Sequence, residues 1–351
     1  MDEVSITQVS VKSRWKVIIN VVTILALCLL VFAARKQIGD TIQNLGRVNL
    51  AVLLLMPVWQ FVNYHANTKM FQHILVILGH RVSYKQMFRA ALELNFVNNV
   101  FPSGGVSGIS FFGLRMRVLG VSASKGTIVQ VMKYVLVFIS MQVLLFFGLF
   151  LLAIDGGVNN FLILIGSSLA TVLMVMTFLI AYIVGSKRRI NSFFGFLTKA
   201  LNRLIFVVRP NHRETINTQK AQLLFGQLHE DYVVLKKDLS KLRIPLLWAL
   251  VAAIAEISTI YTVYIAFDNL INPGAIIIAY MVANVAGLIS ILPGGVGIYE
   301  GLMTAVLAAA GVPAGSSIPA TIMYRILNML IQLPPGYYFY HKTLQERPRD
   351  G

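Results

Sequence analysis

The stretch LPGGVGIYEG, residues 292–301, lies inside one of the longest apolar regions of the chain. A helix in lipid satisfies its backbone internally and favours unbroken aliphatic sequence. Here a proline, four glycines and a carboxylate fall within ten residues. Proline removes a backbone donor and glycine admits turns that other residues resist. Pro293, Gly294, Gly295 and Gly297 therefore read as a turn at membrane depth, and Glu300 as a charge carried there with it. A second break of the same kind stands at residues 98–108, NNVFPSGGVSG, where Pro102, Gly104 and Gly105 follow Asn98 and Asn99.

The two breaks are related by an offset of 191 residues. Without a gap it carries Pro102 onto Pro293, Gly104 onto Gly295, Gly120 onto Gly311, Val121 onto Val312, Ala123 onto Ala314 and Met132 onto Met323. Matched breakers at a fixed interval point to an internal repeat. The correspondence fails at one position, since Glu300 falls opposite Ile109.

The rest of the chain is membrane sequence. Of its 351 residues, 57% are hydrophobic and 13% charged, against about a quarter charged in soluble domains, and mean hydropathy is +0.73. A crossing helix needs about 20 mainly apolar residues, and runs of that kind occur near 15–34, 48–67, 124–153, 160–185, 244–268, 274–292 and 315–341. They are too many for a signal peptide and a soluble body.

A net charge of +16 raises the question of nucleic acid, but the Lys and Arg residues cluster in the connections between apolar runs. There they set orientation and meet anionic headgroups, so a nucleic-acid partner is not expected. Lys12, Arg14 and Lys16 precede the first run, and the segment 186–243 holds twelve Lys/Arg against four acids. Both belong on the cytoplasmic side. The connections 154–160 and 267–274 carry no Lys or Arg, which suits the outer face; Arg35, Lys36 and Arg47 run against the assignment.

Walking the chain with its amino terminus inside makes each broken segment enter and leave on one face. The expected fold is thus all-α: a polytopic integral protein of the cell membrane with an inverted repeat and two re-entrant, broken-helix hairpins at about 90–120 and 274–312. Residues 1–14 and 342–351 would be cytoplasmic tails on a single domain of 15–341, and 186–243 an amphipathic cytoplasmic loop. Paired broken helices in inverted repeats are the pattern of transporters, with the site where the breaks meet.

Charge at membrane depth costs roughly 3 kcal/mol per group on insertion scales, so Glu93, Lys133, Glu256, Glu300 and Arg325 each need a partner or a wet cavity. A buried Arg offers a planar fork for phosphate or carboxylate, and Glu300 is its expected resting partner, displaceable by an anionic headgroup. Glu93, Lys133 and Glu256 are candidates for coupling or charge pairing. Asn98, Asn99 and Asn284, with the helix amino termini near 106 and 297, complete the candidate substrate-binding set. Locking of helix packing by ion pairs is the competing reading of the charges, and capping that of the amides.

Other chemistry is not expected. Cys28 is the single cysteine, the six histidines show no ligand spacing, and no G-x-x-x-x-G-K-[ST] loop occurs, so neither metal, cofactor nor direct ATP coupling is indicated. Ser103, Ser107 and Ser110 lack an evident base, and no catalytic residue is assigned.

LPGGVGIYEG with AGVPAGSSIPATIMYRIL, and NNVFPSGGVSG with LGVSASKG, resemble the lysylphosphatidylglycerol synthase transmembrane, or flippase-like, family over roughly 15–340. In the bifunctional multiple-peptide-resistance-factor proteins, the resemblance implies, the membrane half moves aminoacylated phosphatidylglycerol between leaflets while a soluble domain makes that lipid from charged tRNA. No such soluble domain is read in these residues, so transport without lysyl transfer is expected. Many relatives carry an acid shortly after the first break, where Ile109 stands here. Related chains are proposed to handle polyprenyl-linked sugars, which leaves the lipid open. The expectation is a transporter of an anionic or aminoacylated phospholipid, with a separate lipid-modifying or cell-wall enzyme and a second copy of the chain as further partners. A membrane-bound transferase and a scaffold for such an enzyme are the alternatives.

Overall fold

A computed structural model describes residues 3–101, 106–156, 159–193, 195, 218–289 and 295–345. Pro102, Gly104, Gly105, Pro293 and Gly294 lie outside the described residues, as do residues 194 and 196–217 of the loop expected at 186–243.

Apolar sequence that must close its own hydrogen bonds becomes helix, and among the described residues there is no strand. The helices are α1 (Glu3–Asn44), α2 (Leu50–Leu53), α3 (Leu55–Ile77), α4 (Tyr84–Val100), α5 (Val106–Val118), α6 (Ala123–Ile154), α7 (Asn160–Val184), α8 (Thr218–Lys237), α9 (Arg243–Ala266), α10 (Pro273–Ile289), α11 (Ile298–Ala309) and α12 (Ala314–Gln345). Ala123–Ile154, Asn160–Val184 and Leu239–Ala266 are long and apolar enough to cross a membrane by composition alone. The second apolar run, expected at 48–67, instead forms α3 at Leu55–Ile77. Asn49 caps the one-turn α2 through Ala51 N and Val52 N, and α3 continues beyond Lys69 because Met70, Phe71, Ile74 and Leu75 are buried.

The offset of 191 residues carries α6 onto α12 end to end, and α5 onto α11 within a residue at its start. Packing follows the same correspondence: α3 lies along α9, α4 packs on α12, and α10 packs on α6. A glycine brings each of the last two crossings close. A Cβ on Gly336 would lie 2.7 Å from Phe96 Cβ and 2.9 Å from the Leu92 carbonyl, and one on Gly274 only 2.3 Å from the Gly148 carbonyl. Small residues at such crossings let backbones approach.

Hydrogen bonds fix the two ends of the bundle. At one end Lys125 Nζ meets His80 Nε2 at 2.7 Å, and the Ser124 hydroxyl donates to Asp231 Oδ2 at 2.7 Å. These contacts bring the start of α4, the end of α5 and the start of α6 together beside α8. At the other end Asn272 Nδ2 donates to the Leu151 carbonyl at 3.1 Å and also to Asp155, while Asn159 Nδ2 donates to the Ala309 carbonyl at 2.8 Å. The pair α4–α5 thus begins and ends at one end of the bundle, and α10–α11 at the other. The 32 residues of α6, about 48 Å at 1.5 Å per residue, separate them.

Candidate functional site

The interior of an apolar bundle should be dry and closed, because a polar group left there without a partner costs roughly 1–3 kcal/mol. This one instead contains a cavity of about 370 Å³ lined by Lys133, Glu256, Arg325 and seven asparagines: Asn63, Asn67, Asn95, Asn98, Asn99, Asn284 and Asn328. Its wall draws on the middles of α3, α6, α9 and α12, on the end of α4, on α10, and on Gly295 and Tyr299. The size falls at the low end of small-molecule sites, roughly 300–1,000 Å³.

The walls from α6 and α12 use corresponding positions. Lys133, Tyr134, Val137, Phe138 and Met141 line the cavity from α6; the residues 191 further on, Tyr324, Arg325, Asn328, Met329 and Gln332, line it from α12. Five matched positions carry different chemistry: beyond a tyrosine–cation step, the α6 wall is apolar and two of the three α12 positions bear amides.

Glu256 is the cavity's carboxylate, and neutral donors hold it. Its Oε1 accepts from Tyr324 Oη at 2.6 Å and Asn328 Nδ2 at 3.1 Å, and its Oε2 from Gln60 Nε2 at 3.0 Å and Asn63 Nδ2 at 3.3 Å. These four bonds match the acceptor capacity of a carboxylate. The network runs on through Gln332 Nε2 to Gln60 Oε1 at 2.8 Å, and through Asn95 Nδ2 to Gln332 Oε1 at 2.7 Å and Tyr64 Oη at 2.6 Å. Four helices are thereby joined by buried polar contacts.

Glu300 and Arg325 meet as expected from the sequence, with Arg325 Nε 3.4 Å from Glu300 Oε1. The guanidinium also lies over the Tyr299 ring, 4.4 Å from its centroid. The other Glu300 oxygen accepts from Gly297 N at 2.6 Å, a contact made where Gly297 turns with φ +90°. The amino terminus of α11, expected to be directed at a ligand anion, is thus already met by the protein's own carboxylate.

The other sequence candidates divide. Asn98, Asn99, Asn284 and Gly295 line the cavity together with Lys133, Glu256 and Arg325. Glu93 does not; it pairs with Arg115 at 2.9 Å and accepts from the Thr343 hydroxyl at 2.8 Å, tying α4 to α5 and α12. Gln60, Asn63, Asn67, Tyr299, Asn328 and Gln332 escaped the sequence reading. The available signal was helical spacing: Asn67 Nδ2 donates to Asn63 Oδ1 at 3.1 Å, Asn99 Nδ2 to Asn95 Oδ1 at 3.3 Å, and Gln332 Nε2 to Asn328 Oδ1 at 3.0 Å, each four residues apart. No metal-binding group of His, Cys, Asp and Glu occurs among the described residues.

Apolar crossing helices around a polar interior define a helical membrane protein. The family described as "Lysylphosphatidylglycerol synthase TM region" matches residues 17–336, and the chain belongs to it. It is similar to a "UPF0104 membrane protein" of Methanothermobacter thermautotrophicus, 24% identical over 320 residues that cover 89% of this chain and 90% of the relative. A second protein of that description, from Pyrococcus horikoshii, is 21% identical over 263 residues, covering 71% of this chain and 74% of the relative.

Proposed function

We propose that the protein moves an anionic phospholipid, of aminoacylated phosphatidylglycerol type or a related amphiphile, between the leaflets of the cell membrane. The observation that carries the proposal is the polar cavity halfway along the long helices, with two cations and a carboxylate in its walls. A scaffold needs no such interior, and only a headgroup or water gains from it.

The fold this reading uses is an inverted repeat. Matched helix boundaries at an interval of 191 residues, the exchanged packing of α4 on α12 and α10 on α6, and the return of each broken pair to its own end of the bundle all support it. In a bilayer α4–α5 and α10–α11 are then re-entrant hairpins entering from opposite faces, and Phe101 and Gly295, which flank their breaks, line the cavity. The basic α8 end is cytoplasmic, as are both termini. Arg325 and the asparagines hold the headgroup, Glu300 and Glu256 compete for its donors, and the tails stay in lipid.

Leaflet exchange in proteoliposomes tests the reading. Labelled phosphatidylglycerol should equilibrate faster than in protein-free vesicles, and Glu300→Gln and Arg325→Gln should each slow it about tenfold or more, the loss of one charge-assisted contact. Folded protein exchanging no faster than protein-free vesicles would sink the proposal, and aminoacyl or glycosyl product formed in its place would favour a transferase.

A further inference from the structure

Two cations face the cavity from corresponding helices, but in different states. Arg325 on α12 has Glu300 at 3.4 Å and Tyr299 beneath its guanidinium. Lys133 on α6 stands one residue before the position that corresponds to Arg325, and the positions corresponding to Tyr299 and Glu300 are Gly108 and Ile109. Neither offers a charge or an aromatic face. The space that a side chain at 108 would need is taken by Asn98, since a Cβ there would fall 2.0 Å from Asn98 Oδ1. Among the described residues Lys133 Nζ has no carboxylate partner and lies over the Phe71 ring, 5.6 Å from its centroid.

The surroundings complete the argument. Lys133 lines both the main cavity and a side chamber of about 40 Å³ shared with Asn63, Asn67, Asn95 and Asn98. Asn98 Oδ1 is buried against the Gly108 backbone. Glu256 makes no hydrogen bond to the ammonium; its four come from Gln60, Asn63, Tyr324 and Asn328. A desolvated cation gains most from an anion that can enter beside it.

We infer that Lys133 is the primary anion anchor of the cavity: it takes the phosphate of the substrate headgroup. Arg325 meets the anion second, once Glu300 gives way. The inference rests on the transport reading and narrows it to headgroups whose phosphate carries an uncompensated negative charge. The apolar α6 positions Val137, Phe138 and Met141, one to two turns beyond Lys133, would lie against the first carbons of the tail.

The test is binding to the full chain in detergent, read as the shift in melting temperature with short-chain phosphatidylglycerol, short-chain phosphatidylcholine or inorganic phosphate. The wild type should be stabilised by phosphatidylglycerol over phosphatidylcholine. Lys133→Met should weaken that binding about tenfold or more, the size of one charge-assisted contact, and Lys133→Arg should restore most of it. Arg325→Gln with Glu300→Gln, which removes both members of the ion pair, should weaken it less than Lys133→Met. Stabilisation by phosphate that is lost in Lys133→Met supports a site recognising the phosphate group alone; response to the lipid only supports a site that also needs the glycerol or tail.

Lys133→Met binding like the wild type, with the double variant failing, places the anion at Arg325 and overturns the inference while leaving transport standing. A wild type that does not distinguish the two lipids also overturns it. Leaflet exchange by that same wild-type protein then decides whether the transport reading falls as well.

Discussion

Tyr324 Oη lies 2.6 Å from Glu256 Oε1 and joins α12 to α9 at the cavity wall. A hydrogen bond to a charged group contributes roughly 1.5–3 kcal/mol. Tyr324→Phe should therefore lower stability by about that amount in a detergent melt. Glu256→Ala should cost more, because it strips the acceptor from Gln60, Asn63, Tyr324 and Asn328 together. Equal melting of both variants and wild type would show that the network contributes nothing to folding.

The Arg325–Glu300 contact predicts non-additivity. Removing one member of a buried ion pair leaves the other uncompensated, a cost of about 3–5 kcal/mol. Arg325→Gln should thus destabilise strongly, and adding Glu300→Gln to it should recover part of the loss. A double-mutant cycle in thermal melts gives the coupling directly. Additive losses would mean the charges do not sense each other.

Glycines make contrasting predictions. Gly274→Ala brings a Cβ against the Gly148 backbone carbonyl, which cannot step aside, so a loss of about 1–3 kcal/mol or more is expected from overpacking. Gly301, within α11, has nothing within 4 Å of its would-be Cβ. Gly301→Ala should be neutral or stabilising by roughly 0.4–1 kcal/mol. The reverse order of stability would contradict the packing of α10 on α6.

The docking of α8 should depend on pH. Burial lifts the Asp231 carboxyl above the ordinary carboxylate range, with the Ser124 hydrogen bond and the Lys125 charge offsetting part of the shift. An acid raised in the folded state stabilises most when protonated and loses that contribution as pH rises through its folded pKa. Hydrogen-exchange protection in α8, with the intrinsic pH dependence of exchange divided out, should accordingly be greater at mildly acidic pH than at neutral pH, and Asp231→Asn, which can still accept from Ser124, should flatten the difference. A dependence unchanged in the variant would assign the effect to another group.

Hydropathy made the helices legible, and the Pro-Gly breaks located the ends of α4, α5 and α11 to within a few residues, because both signals are local. The Glu300–Arg325 contact was also legible, since its members stand on neighbouring helices. Glu93 with Arg115 was not: Arg115 follows a break and reads as a loop cation, yet it is only 4% exposed. The amides Gln60, Asn63, Asn67, Asn328 and Gln332 were missed for a different reason. One Asn in an apolar run changes its hydropathy little, and only the spacings 63/67, 95/99 and 324/328/332 mark a face. Which faces turn inward depends on packing between helices nearly 200 residues apart, as Gln60 and Glu256 show.

Those spacings give the interior a graded character. Successive amides rise about 6 Å along an axis, four residues at 1.5 Å each, and they bond to one another. A polar group lying against such a wall finds a hydrogen-bonding partner on each successive turn, over the one or two turns that each pair spans.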